Sequence, residues 1–190
     1  MHRDELLAKW QHVLIEVSKA NLWDLPQEIA WLCEYCQGRL HILELGAYNG
    51  ASTKAMLLAN PDLKIHVVDT WDDAGTHENF LGLLAGEIHD GRLTFYHGST
   101  EAFFKSGPDM RFDGCFIDAG HSKDNVVCDI VGATSLMNPG TWICGHDYHA
   151  EWPDNGVSQA VRELCPGHVI VMESIWAWQS RAQAGSSNPA

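Results

Sequence analysis

Two short segments carry side chains that could do chemistry together. Phe116-Ile117-Asp118-Ala119-Gly120-His121 and Cys144-Gly145-His146-Asp147 each place an Asp and a His directly after an apolar run. A buried carboxylate without a partner is costly, so a cation or a mutual hydrogen-bond network is expected where two such ends meet. Asp and His together can ligate a divalent metal. A nearby imidazole can also take a proton near neutral pH. One lone His is more often a loop residue or a helix cap. Two Asp–His pairs at two strand ends favour function. The candidate catalytic residues are His121, Asp118 and His146, and the candidate metal ligands are Asp118, Asp147 and His146.

A second group of residues fits a nucleoside. Glu44-Leu45-Gly46-Ala47-Tyr48-Asn49-Gly50-Ala51-Ser52-Thr53 follows a short apolar run. Gly46 and Gly50 let the backbone turn tightly and approach a ligand. Ser52 or Thr53 falls near a helix N-terminus, where free N–H groups can hold a carboxylate. The spacing is G-x-x-x-G with no third glycine, which disfavours a dinucleotide, and no Gly-Lys-Ser/Thr makes a phosphate loop. Asp69 follows the next apolar run, where an acid can accept from both ribose hydroxyls. Trp71 could stack on a purine or could be a core or rim aromatic. The glycine loop and Asp69 together argue for a nucleoside-containing cofactor.

The elements that must position these residues alternate. Residues 5–19 put Leu6, Trp10, Val13, Leu14 and Val17 on one helical stripe, and a break over 21–26 precedes a second helix ending at Gly38. From residue 40, apolar strands (LHILEL, KIHVVD, LTFYHG, FDGCFID, TWICGHD) alternate with helices at ASTKAMLLAN, 76–90, 100–105, 122–137 and 156–164. The fifth strand is expected after the turn Asn138-Pro139-Gly140. HVIVMESIWAWQ holds two more strands, as a hairpin. This pattern predicts an α/β fold, an open sheet of about seven strands covered on both faces. The expected organisation is a helical cap over 1–38, a catalytic domain over 39–180 and a loose polar tail over 181–190.

Composition narrows the partners. Lys and Arg number 12 against 25 Asp and Glu, a net charge of −13, which disfavours nucleic acid and anionic lipid. The start MHRDELLAKWQ has no apolar run long enough for a signal peptide, and no stretch approaches a membrane span. A cytoplasmic protein is expected. Cys33-x-x-Cys36 has no second pair at matching distance and reads as one buried helix face.

These motifs, in this order, resemble class I S-adenosylmethionine-dependent methyltransferases. ILELGAYNGAST looks like their first motif and VVDTWD like their second. FDGCFIDAGHSKDNVVCDI…LMNPGTWICGHDY resembles the region around strands four and five. GVSQAVREL also resembles the small-molecule branch called methyltransferase type 24, and the likeness covers about residues 40–180. It implies a seven-stranded Rossmann-like sheet whose last strand runs antiparallel. It implies that Glu44, Gly46, Asn49 and Ser52 surround the methionine part of the cofactor. Asp69 would take the ribose, with Thr70 and Trp71 beside the adenosine and Gly98, Ser99 and Thr100 near the adenine. Asp118 would open the catalytic loop. Related sugar and antibiotic O-methyltransferases hold Mg2+ with acids at positions matching Asp118 and Asp147, and their base matches His121. The sequence departs at His146, where some relatives have an acid.

The expected activity is O-methylation of a small hydroxylated acceptor, with S-adenosyl-L-methionine as cofactor, Mg2+ assistance and His121 as general base. The short chain leaves loops 71–80 and 148–156 and the N-terminal helices to shape the acceptor pocket, which suggests either a small polar acceptor or a homodimer that completes its wall. The alternatives are a binding module that holds the cofactor without chemistry, and a metal-dependent enzyme of other chemistry on this scaffold.

Overall fold

The computed structural model of the protein describes residues 2–18, 25–152 and 154–180. The polar tail expected over 181–190, and most of the break expected over 21–26, lie outside the described residues. Helices α1 (Arg3–Val17) and α2 (Pro26–Tyr35) come first. Leu6, Trp10, Val13 and Val17 are the buried stripe of α1. Pro26 begins α2, where its missing N–H costs nothing.

Seven strands follow: β1 (His41–Leu45), β2 (Lys64–Asp69), β3 (Leu93–His97), β4 (Phe112–Ile117), β5 (Met137–Gly145), β6 (Val169–Met172) and β7 (Ile175–Gln179). The helices between them are α3 (Ala51–Ala59), α4 (Thr76–Leu83), α5 (Ala85–His89), α6 (Thr100–Lys105), α7 (Lys123–Leu136) and α8 (Gly156–Leu164). The strands form one sheet in the order β3-β2-β1-β4-β5-β7-β6. All neighbours from β3 to β5 are parallel, and β7 runs antiparallel to both β5 and β6.

The strands alternate between two cores because successive side chains point to opposite faces. Ile42, Phe116, Cys144 and Ala177 face α1, α2 and α3. Leu43, Leu45, Ile117, Ile143 and Trp176 face α7 and α8. Both faces are covered, so the strands read as nearly continuous apolar runs. Cys33 and Cys36 lie fully buried in the first core, and burial raises both thiols, that of Cys36 to about 12. They are small core hydrophobes.

Two expectations need correction. Residues 76–90 form two helices, because Leu84 leaves helical geometry at φ −113° and ψ 14° to bury its side chain. Strand β5 starts at Met137, before the turn expected at Asn138-Pro139-Gly140. Met137 pairs with Phe112 and Trp142 with Gly114, and the extra residues are absorbed as an irregularity in the ladder. The Tyr35 hydroxyl bridges that gap, accepting from Cys115 N at 3.0 Å and donating to Trp142 O at 2.7 Å.

Asp129 on α7 is a buried liability. It is fully buried, and among the described residues neither carboxylate oxygen has a hydrogen-bond partner of normal geometry. Burial pushes its pKa up to about 6, against a weaker pull from the Thr100 hydroxyl. A folded-state value above the unfolded one means that the group costs stability above pH 6, and that the cost disappears as pH falls toward 4. Asp129→Asn is therefore expected to raise stability by about 1–3 kcal/mol at pH 8 and to have little effect at pH 4. Thermal melts at the two pH values check this, and equal shifts at both would refute it.

Candidate active site

The strand order reverses between β1 and β4, and ligands in such sheets bind beyond the carboxyl ends at that point. The ladder continues one residue past each strand. Gly46 N donates to Val68 O at 2.9 Å, Asp118 N to Leu45 O at 2.7 Å, His146 N to Ile117 O at 3.0 Å and Gly98 N to Asp69 O at 2.8 Å. These bonds align the loops after five strands along one edge. Gly46 has φ +84°, and a Cβ there would overlap the backbone of Asp118 and Ala119. Gly46→Ala is expected to cost roughly 2–4 kcal/mol and to spoil this edge. A thermal melt matching that of the parent protein would show that the close approach is dispensable.

A cavity of about 920 Å³ opens at the edge. Gly46, Asp69, Thr70, Gly98, Ser99 and Thr100 line one side, and Asp118, His121, His146 and Asp147 the other. Ser99 caps α6 by accepting from Ala102 N at 3.2 Å. Among the described residues no lysine or arginine lines this cavity, whereas Asp72, Asp73, Glu101 and Asp124 add to its acids. Such walls repel a pyrophosphate and favour a cation. A donor set of this kind fits a sulfonium nucleoside.

Other expected cofactor residues are not on its wall. Glu44 is buried, and its carboxylate accepts from Ser52 Oγ and Thr53 Oγ1, both at 2.6 Å. Asn49 Oδ1 accepts from Asn79 Nδ2 at 3.2 Å. Gly50 packs against Leu84 and Phe80 with no room for a Cβ. Trp71 adopts φ +46°, donates from Nε1 to Tyr48 O at 2.8 Å and stacks on His77 at 4.6 Å. These residues brace the glycine loop from within the protein. Asp69 lies on the wall and also holds that loop. Its Oδ2 accepts from Ala47 N at 2.7 Å and Tyr48 N at 2.9 Å, and its Oδ1 from Trp71 N at 2.6 Å. Three of about four lone-pair sites are thereby used, leaving room for one strong bond from a ligand hydroxyl.

At the opposite side the four Asp and His residues meet. His121 Nε2 lies 3.0 Å from Asp147 Oδ2 and 3.9 Å from Asp118 Oδ1. His146 Nδ1 lies 3.4 Å from Asp147 Oδ2 and 3.7 Å from Asp118 Oδ1. Asp147 has φ +60°, a conformation that Asp tolerates better than most residues. The N–H groups on either side of it are fixed, His146 N on Ile117 O and Tyr148 N on Ser174 O. The carboxylates of Asp118 and Asp147 raise His121 to about 10. The His121 and His146 imidazoles hold Asp147 well below the usual range. Ligand atoms of Asp118, His121 and Asp147 lie within 4.8 Å of one another, a spacing that can hold a metal ion. That set contains His121; His146 turns its other nitrogen elsewhere.

That nitrogen meets Glu28, which sequence reading did not single out. Glu28 Oε2 lies 3.1 Å from His146 Nε2 and accepts from Leu25 N at 3.0 Å. Glu28 Oε1 accepts from Ser174 N at 3.1 Å and Oγ at 2.8 Å. Burial to 2% exposure pushes the carboxyl up, but these bonds, led by His146, bring it down to about 2. The only local signal is a Glu in the first turn after Pro26, which reads as a helix cap. Glu28, His146, Asp147 and Ser174 also line a second cavity of about 550 Å³, with Leu25, His149 and Ile170 on its other walls. The two cavities share the His146–Asp147 edge. No helix among the described residues is long and apolar enough to cross a membrane.

The sheet order, the loop at the reversal point and the acid-lined cavity define a Rossmann-like enzyme fold. Residues 43–148, more than half of the chain, match the family described as Methyltransferase domain, type 24. The chain belongs to this family and is an S-adenosylmethionine-dependent methyltransferase. Solved structures show the same fold. Cofactor-bound Rv0187 from MTB is 17% identical, with a TM-score of 0.69 over 94% of this chain and 90% of that one. The O-methyltransferase TomG from Streptomyces achromogenes, in complex with SAM, is 16% identical, with a TM-score of 0.65 over 94% and 91%. The O-methyltransferase from Bacillus cereus, in complex with SAH, is 19% identical, with a TM-score of 0.64 over 94% and 92%. No curated protein matches the chain.

Proposed function

We propose that the protein methylates a hydroxyl of a small, uncharged or cationic acceptor. The observation that carries this reading is the shared edge: His146 and Asp147 border both the 920 Å³ and the 550 Å³ cavities, with His121 beside them. One cavity suits the cofactor and the other the acceptor, so the reacting atoms would meet at that edge. Asp69, Thr70 and Ser99 would hold the nucleoside end, with Gly46 allowing close approach at the switch point. When bound, S-adenosylmethionine supplies a methyl group made electrophilic by the sulfonium. The walls align the acceptor oxygen with it, which accounts for much of the rate in a displacement of this kind.

Asp118 and Asp147 would hold a divalent cation such as Mg2+, which would lower the pKa of the acceptor hydroxyl. His121 is protonated at neutral pH while both carboxylates hold its proton. With Asp118 and Asp147 committed to a cation, His121 loses those partners and can accept the hydroxyl proton. Glu28, 3.1 Å from His146 Nε2, would fix the His146 ring at the wall the two cavities share. The second cavity has Glu28, Glu151 and Glu173 on its walls and, among the described residues, no Lys or Arg. It therefore disfavours phosphorylated or carboxylated acceptors.

Calorimetric titration of S-adenosylmethionine, with and without magnesium, tests the reading. Micromolar binding that magnesium tightens, with the magnesium effect lost in Asp147→Ala, is expected. Absence of methyl-donor binding in both conditions would overturn the assignment of the larger cavity. Binding that ignores magnesium would overturn the metal-assisted route.

A further inference from the structure

The sheet end opposite the cofactor cavity holds another pocket. Strands β1 to β4 begin there, and the pocket measures about 280 Å³. Its floor is apolar: Ile65 and Phe112 line it and are 2% and 3% exposed. The His66 ring joins that floor, stacked on Phe103 at 5.3 Å. The rim is basic, with Lys64, Arg92 and Arg111 on it and, among the described residues, no acidic side chain. These are three of only 12 Lys and Arg in a chain of net charge −13.

Two of the cations are held in place by the backbone. Arg92 Nη1 donates to Leu57 O at 3.1 Å, and Arg111 Nη1 to Met110 O and Ser135 O at 3.2 Å. The Arg92 backbone N donates to Glu87 O at 3.0 Å, while its guanidinium makes only a long ion pair with the Glu87 carboxylate, Nη2 to Oε1 at 3.9 Å. Lys64 is exposed and makes no ion pair among the described residues. The nearby carboxylate of Asp113 is already committed to Leu40 N and His41 N, both at 3.1 Å, and to Asn138 Nδ2 at 2.8 Å. His66 Nδ1 meets Thr94 Oγ1 at 2.7 Å, but its buried Nε2 has no hydrogen-bond partner among the described residues. Unmatched buried polar atoms are few in folded proteins and call for an explanation.

We propose that this pocket binds a small anion with a flat apolar body, of the aryl or short-chain carboxylate class. The floor would take the apolar body out of water. The two anchored guanidinium groups and the free ammonium would hold the carboxylate. The volume lies near the lower end of small-molecule sites, roughly 300–1,000 Å³, so the body must be small. The pocket shares no lining residue with either cavity of the methyl-transfer site, and its failure would leave that reading untouched.

Amide NMR titration of the full chain tests the proposal, with sodium benzoate, inorganic phosphate and benzylamine as probes at matched ionic strength. Benzoate is expected to give saturable shifts confined to Gly91, Thr94 and their neighbours, at least about tenfold tighter than phosphate. Benzylamine should give none. Lys64→Gln and Arg111→Gln should each weaken benzoate several-fold while the rest of the spectrum stays unchanged. Scattered or non-saturating shifts, phosphate binding as tightly as benzoate, or unchanged benzoate affinity in the double variant would each overturn it.

Discussion

His121→Ala is expected to lower methyl-transfer turnover by roughly 10²–10⁴-fold. Affinity for S-adenosylmethionine should stay within about threefold, because in the proposed arrangement His121, which lines the cavity beside Asp118 and Asp147, would stand at the reacting edge rather than at the nucleoside end. The pH dependence separates a proton acceptor from a mere spacer. The Asp118 and Asp147 carboxylates hold His121 at about 10, above the ordinary histidine value near 6.5. Without a metal, the rate should therefore climb with pH until about 10. With magnesium, the same limb should move toward neutrality. A limb that stays in place when magnesium is added would sink the coupling, and normal turnover in His121→Ala would sink the base itself. The stability contribution has the opposite slope. It is fully present below about pH 6.5 and is lost as pH rises through about 10. The His121 side chain is 60% exposed, so solvent screening keeps that contribution small.

Asp69→Ala should weaken S-adenosylmethionine binding by more than about 100-fold and destabilise the fold by about 3 kcal/mol. The carboxylate accepts three backbone N–H groups, from Ala47, Tyr48 and Trp71. A bond to a charged acceptor contributes about 1.5–3 kcal/mol, and the three are not additive. Their loss frees the glycine loop and turns Trp71 loose from its φ +46° conformation. Asp69→Asn serves as the control, since it keeps one acceptor oxygen and the side-chain volume. It should retain more stability than Ala but still bind the cofactor poorly, because its amide cannot serve both the loop and a ribose hydroxyl. Calorimetry and thermal melts on the two variants read the two effects separately. Native cofactor affinity in Asp69→Ala would move the nucleoside site away from this carboxylate.

These two residues also show what kind of information a sequence holds. Asp69 and His121 could be picked out because each stands just past an apolar run, and in a parallel sheet all such positions reach one edge. The alternation of strands and helices follows from local periodicity, which needs no tertiary contact to be legible. The closing antiparallel strand came from family resemblance, and the hairpin of β6 and β7 bears it out. The ladder irregularity in β5 was not legible, because Asn-Pro-Gly signals a turn in isolation. Bonds from remote segments hold the strand there: the Tyr35 hydroxyl from α2 on Trp142 O and Cys115 N, Asn138 Nδ2 on Asp113, and Gln179 Nε2 on Gly140 O.

The sequence by itself determined the element order, the buried sheet and the edge on which Gly46, Asp69, Asp118, His121, His146 and Asp147 would stand. The tertiary structure decided which way those side chains turn. Asp69 bends toward its own loop as well as the cavity, and Trp71 packs against His77 and away from the ligand space. His146 is tied to Glu28, whose other oxygen takes Ser174 from a hairpin 146 residues away. The reason is physical. Periodicity fixes which face a residue occupies, whereas positive φ at Trp71 and Asp147 and the partner of a buried carboxylate are set by packing among segments remote in the chain.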